Sequence, residues 1–135
     1  MNVVLDTNCL LMSISRRSQY YTIWRSLVRG EYVLCYSNEI LIEYEEILTQ
    51  KMGPRIASNI ISAILNLPNT LQIQVYFNLR LIEQDPDDDK FVDCAFKSNA
   101  RFIVTQDHHY DILRTISFPK INVIDIDDFL KELSE

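Results

Sequence analysis

Glycine and proline are scarce, with two and four respectively in 135 residues. So few breakers exclude a long disordered linker, and no repeat or low-complexity segment interrupts the chain. The length fits one domain, 1–135, and leaves no room for two. Cysteine is sparse as well. Cys9, Cys35 and Cys94 are odd in number and widely spaced, which excludes a disulfide framework and a thiolate zinc pair. Buried free thiols are expected instead. No apolar run approaches the roughly 18 residues needed to span a membrane. The opening Met1-Asn2-Val3-Val4-Leu5-Asp6 has no basic stretch and reaches a charge at once, unlike a secretory leader. A soluble cytoplasmic protein is expected. A basic excess is also missing, since the net charge is −6. That argues against a broad basic face for nucleic acid. It does not exclude an enzyme that cuts RNA at a metal, because bound divalent ions reverse the local sign of an acidic pocket.

Apolar residues are plentiful, at 47%, enough to fill a core at this size. Their spacing sets the elements. Val3-Val4-Leu5 reads as a buried strand ending at Asp6. Tyr20 to Arg29 has helical spacing and stops at Gly30. Tyr32 to Tyr36 is a second strand, and Ser37 then caps a helix whose apolar face is Ile40, Leu41, Tyr44, Ile47 and Leu48. Gly53-Pro54 breaks it. A further helix spans Ile56 to Leu65, and a strand is expected within Leu71–Tyr76. Asp85-Pro86-Asp87-Asp88 reads as an acidic turn into a helix through Asn99. Phe102-Ile103-Val104 is a third buried strand, with a short helix from His108 to Arg114 after it. Ile121–Ile124 is a fourth strand, and Asp125 to Leu133 a closing helix. Alternating strands and helices predict an α/β fold, a three-layer α/β/α sandwich around a central, mainly parallel sheet. Sites in such sheets form at the carboxyl ends of the strands.

Two buried strands end in a carboxylate, at Asp6 and Asp107. Both therefore belong on one edge of the sheet, where paired acids suit a hard cation. The helices offer more. Glu43 and Glu45 lie at opposite margins of one apolar arc, and helical geometry does not choose between them. Asp89 borders the arc of Phe91, Val92, Ala95 and Phe96. Asp93 lies a turn later and further toward solvent, and Asp88 reads as a cap. Gathered carboxylates repel, so three or four at one site need a cation. Arg16, Arg17, Arg25 and Arg29 form a basic cluster, readable as a solvated helix face or as phosphate contacts. His108 and His109 read as surface residues at a helix start. Tyr20, Tyr21, Ile23 and Trp24 supply more apolar surface than one short helix edge needs, which suggests an interface between two copies.

Four segments carry a resemblance. Val4-Leu5-Asp6-Thr7-Asn8 resembles the opening strand of PIN-domain nucleases. Ser37-Asn38-Glu39-Ile40-Leu41-Ile42-Glu43-Tyr44 is similar to their Ser-then-Glu segment. Asp85-Pro86-Asp87-Asp88-Asp89-Lys90-Phe91 and Ile103-Val104-Thr105-Gln106-Asp107 are similar to the third and fourth. The likeness covers nearly the whole chain in order and is nearest to the VapC-like toxins of toxin–antitoxin pairs. It implies that Asp6, Glu43, Asp89 and Asp107 are catalytic and hold one or two Mg²⁺ or Mn²⁺ ions. The third and fourth acids of relatives commonly stand 18 positions apart, as Asp89 and Asp107 do. It also implies that Thr7, Asn8, Ser37 and Thr105 orient the carboxylates, that single-stranded or structured RNA is hydrolysed, and that an antitoxin and a second copy are partners. One position departs. Some relatives carry another acid two places after the fourth, and here that place is His109, which implies a looser hold on a second ion.

Four other readings stand beside this one. A haloacid-dehalogenase phosphatase would carry a second Asp where Asn8 stands. A receiver-like module would need paired acids before the first strand end and a Lys after a later strand. A catalytically silent PIN-like RNA- or protein-binding domain would have no need to keep four acids. A housekeeping RNA-processing nuclease without an antitoxin shares the same chemistry as the toxin.

Overall fold

The computed structural model describes residues 1–76, 79–82 and 88–134. In chain order the elements are β1 (Asn2–Leu5), α1 (Thr7–Ile14), α2 (Tyr21–Val28), β2 (Val33–Tyr36), α3 (Asn38–Met52), α4 (Pro54–Asn66), β3 (Thr70–Gln72), α5 (Asp89–Ser98), β4 (Phe102–Val104), a 3-10 helix (His108–Thr115), β5 (Val123–Ile124) and α6 (Ile126–Ser134). The strands form one five-stranded sheet in the order β3-β2-β1-β4-β5, and every pairing is parallel. Helices cover both faces, as the alternation of elements predicts. Val3, Val4 and Leu5 of the central strand are buried on both sides, and so are Ile103 and Val104 beside them. Each such side chain contributes roughly 1.5–3 kcal/mol of apolar burial, which fixes the pleat and register of the strands that end in acids.

The strand order dictates where a site can lie. From β1 the chain winds outward to β2 and β3, then returns across the sheet through α5 and winds the other way to β4 and β5. The reversal falls between β1 and β4. At such a switch point the connections leave in opposite directions and open a crevice at the carboxyl ends of the strands. Asp6 directly follows β1, and Thr105 to Asp107 directly follow β4.

Several elements differ from the sequence reading. Helix α1 has no polar face in Thr7–Ile14, so its periodicity is invisible, yet Asp6 caps it by accepting a 2.7 Å hydrogen bond from the Thr7 amide. The third strand is Thr70–Gln72 rather than a longer piece of 71–76, the fifth is only Val123–Ile124, and the short helix is of the tight 3-10 kind. Of the acidic turn 85–88, only Asp88 lies within the described residues. Gly53 adopts φ +89, a conformation other residues resist, and so ends α3 while Pro54 opens α4. Ile23 is fully buried and Trp24 nearly so, and the Tyr20 hydroxyl donates to Asp127 at 2.9 Å. The apolar residues that suggested a self-association face are thus largely spent on the core and on α6. The three cysteines are buried and free, with the Cys9 and Cys94 thiols pushed by burial up to about 12. Among the described residues, no helix is long and apolar enough to cross a membrane.

Tyr44 ties α3 to the end of the central strand. Its ring is fully buried, and its hydroxyl donates to the Leu5 carbonyl at 2.5 Å, one residue before Asp6. Substituting Tyr44→Phe deprives a buried carbonyl of this donor and is expected to cost about 1–3 kcal/mol. Urea unfolding of the two proteins measures the difference.

Candidate metal centre

Three acids near the crevice stand where a strand or loop passes into a helix. Asp6 caps α1, Asp107 caps the 3-10 helix by accepting a 2.9 Å bond from the His109 amide, and Asp88 precedes α5. The amide-rich, partly positive N-termini favour negative charge there. Thr105 couples two of the acids. Its hydroxyl donates to Asp6 Oδ2 at 2.8 Å and accepts from the Asp107 amide at 3.0 Å. Asp6 is only 8% exposed. Burial raises its pKa most, the charges of Glu43 and Asp107 raise it further, and the bonds from Thr105 and Thr7 pull against them.

Glu43 reaches the crevice, while Glu45 on the other margin of α3 is exposed. The Thr7 hydroxyl donates to one oxygen of Glu43, and Lys90 Nζ pairs with the other at 2.8 Å. Its charge is therefore already met by the protein. Lys90 follows from α5, so this pair also clamps α5 to α3. Ser37 caps α3 by accepting from the Ile40 amide at 3.3 Å, and Asn8 is exposed on the first turn of α1.

The surroundings of the third acid involve more than the sequence indicates. Asp89 is 7% exposed, and its Oδ1 accepts the Ile82 amide at 2.9 Å. One turn on, Asp93 accepts the Leu79 amide at 2.9 Å and is buried, not turned to solvent as expected. Burial, with the charges of Asp89 and Glu39, raises the Asp93 pKa. Both carboxylates pin the segment 79–82 along α5, a packing that no helical wheel of α5 alone reveals. Asp88, read from the sequence as a cap, makes no side-chain cap bond and lies instead beside Asp107 and His109. One ligand atom from each of these three lies within 4.8 Å of the others. Tyr110 lies behind the acids. It is fully buried, its hydroxyl is 3.4 Å from the Asp88 carbonyl, and its pKa is raised by burial and then by the charges of Asp6 and Asp88 and, less, of Asp107. An open cleft of about 340 Å³ continues from Asp107 past Gln106 and Arg114 to Asp125.

The donor set fits a divalent ion. Asp88, Asp107 and His109 bring donor atoms together at the crevice, Asp6 is held nearby by Thr105, and hard carboxylate oxygens suit Mg²⁺ or Mn²⁺. A family model described as a PIN domain matches residues 2–109. The chain belongs to the PIN domain family. This PIN domain also superposes on solved structures. The VapBC2 complex of Rickettsia felis bound to a promoter DNA fragment matches with a TM-score of 0.64 at 17% identity, covering 93% of this chain and 98% of that one. DNA-bound VapBC of Salmonella typhimurium matches at 0.61 and 15%, with the same coverage. Mycobacterium tuberculosis VapC20, described as a sarcin-ricin loop cleaving toxin, matches at 0.54 and 16%, covering 88% of this chain and 98% of that one. At these identities the likeness is one of fold. No curated protein matches the sequence.

The four arginines are strung along α1 and α2 rather than gathered at the acids. Arg16 and Arg17 lie just beyond the far end of α1, about 12 Å of helix from Asp6. Arg29 follows α2 just before β2 begins, at the amino edge of the sheet.

The two neighbouring acids on α5 are expected to separate in behaviour. Asp89→Ala leaves the buried Ile82 amide without its acceptor and should cost about 1–3 kcal/mol of stability in metal-free buffer. Asp88→Asn should leave stability unchanged or raise it, yet weaken binding of Mn²⁺. Denaturant unfolding and calorimetric titration of both variants check the assignment.

Proposed function

We propose that this PIN domain is a metal-dependent endoribonuclease that hydrolyses the phosphodiester backbone of RNA. The observation that carries the reading is the cluster of donor atoms from Asp88, Asp107 and His109 beside the switch point of the sheet, with Asp6 tied to the Asp107 backbone through Thr105. Asp6, Asp88 and Asp107 would hold Mg²⁺ or Mn²⁺. When bound, such an ion activates a water and offsets charge on the phosphate and the leaving oxygen.

The remaining residues position and exclude. Thr105 fixes the orientation of the Asp6 carboxylate, as a partner of a ligating carboxylate should. Glu43 is held by Thr7 and Lys90 at the rim, where it acts on an ion through water rather than directly. Asp89 serves by keeping segment 79–82 against α5 and so aiming Asp88. Tyr110 shields the acids from beneath. An RNA strand would lie along the cleft beside Asp107, where Arg114 lines the wall, and Arg16 and Arg17, beyond the far end of α1, would take flanking phosphates, whereas Arg29 stands at the amino edge of the sheet, away from this path.

The fold-level likeness to VapBC complexes and to a cleaving toxin supports a further step. The chain would act as the toxin of a toxin–antitoxin pair, held by a cognate antitoxin, with the cytoplasm as its place and a homodimer as its working form belonging to the same proposal.

Purified protein is expected to cleave single-stranded RNA with Mn²⁺ or Mg²⁺ and to lose that activity in EDTA. Asp107→Asn should lower the rate by at least about a hundredfold while the protein stays folded, because the lost charge is a direct ligand. Cleavage that persists in EDTA would overturn the metal reading. Ion binding without any cleavage would favour a silent RNA- or protein-binding domain. Growth arrest on expression, relieved by an adjacent small DNA-binding protein, would separate a toxin from a housekeeping nuclease.

A further inference from the structure

His109 stands between acids from two different elements. Its Nδ1 lies 3.3 Å from Asp107 Oδ1, on its own 3-10 helix, and 3.8 Å from Asp88 Oδ2, at the entrance to α5. Its side chain is about half exposed, so the ring faces the open crevice rather than the core. The amide of the same residue donates to Asp107 Oδ1, which holds the backbone and the ring on the same side of that carboxylate. His108, one residue earlier, behaves differently. Its side chain is almost fully exposed and pairs with Asp111 at 3.3 Å.

We infer that His109 is itself a metal ligand, through an imidazole nitrogen, and that it biases the centre toward transition-metal ions over Mg²⁺. This rests on the metal-dependent reading above and deepens it. Two carboxylates and an imidazole whose donor atoms lie within 4.8 Å of one another make a mixed oxygen and nitrogen set. Mg²⁺ demands near-ideal octahedral oxygen geometry and keeps its waters, whereas imidazole suits transition ions. The site therefore sorts ions by donor chemistry as well as by charge. Where an acid stands at this position in some relatives, the all-oxygen set would sort less.

Electron spin-echo envelope modulation of the Mn²⁺-loaded protein reads the nitrogen directly and does not depend on activity. Modulation from ¹⁴N is expected in the parent, retained in His108→Ala and lost in His109→Ala. Calorimetry should show His109→Ala weakening Mn²⁺ about tenfold and Mg²⁺ by less than about threefold. His109 is exposed enough that the variant should fold, and circular dichroism checks this. Bound Mn²⁺ without nitrogen modulation in the parent, or modulation that survives in His109→Ala, would overturn the inference while leaving the metal reading intact. Failure of the parent to bind Mn²⁺ at all would overturn both.

Discussion

The hydroxyl of Thr105 joins the two strand ends on which the site depends. It donates to Asp6 at the end of β1 and accepts from the Asp107 amide after β4. These strands flank the reversal of the sheet, so one side chain sets the spacing of two carboxylates whose connections leave in opposite directions. The cost is electrostatic. Asp6 is buried beside Glu43 and Asp107, and its pKa is raised accordingly. A folded chain that keeps such a group has to offset it, and here the offsets are the helix N-termini, the Thr7 and Thr105 bonds, and the Lys90 ammonium on Glu43. What they leave unbalanced is negative charge facing an open cleft, the condition that favours a divalent ion.

Much of this was legible in the sequence because it depends on local pattern. Val3-Val4-Leu5 and Phe102-Ile103-Val104 are short β-branched or apolar runs, and a parallel sheet buries such runs on both faces. Since each run ends near an acid, the shared edge of Asp6 and Asp107 followed from the strand directions alone. The Ser37 cap and the Gly53-Pro54 break were readable for the same reason. Glu43 and Glu45 were equivalent on a helical wheel, and only the packing of α3 against α1 and α5 distinguishes them. Helix α1 was hidden because Thr7–Ile14 offers no polar face to reveal a period.

The surroundings of the third acid were not legible, because they come from a segment distant from any motif. Asp88 lies beside Asp107 and His109, while one oxygen of the adjacent Asp89 accepts the Ile82 amide and Asp93 accepts the Leu79 amide. The 18-residue spacing to Asp107 points to Asp89, and the geometry adds Asp88 as a candidate beside it. His109 did leave a signal, since it occupies the position where some relatives carry an acid, but a histidine at a helix start reads as surface until Asp88 is placed opposite it.

The central proposal is that a divalent ion sits at the switch point between β1 and β4, on Asp88 and Asp107. Anomalous diffraction from crystals grown with Mn²⁺ measures this most directly. The account predicts a strong peak within coordination distance of Asp88 and Asp107, with Asp89 still bonded to the Ile82 amide. A peak on Asp89, or one elsewhere on the surface with the crevice empty, would contradict it.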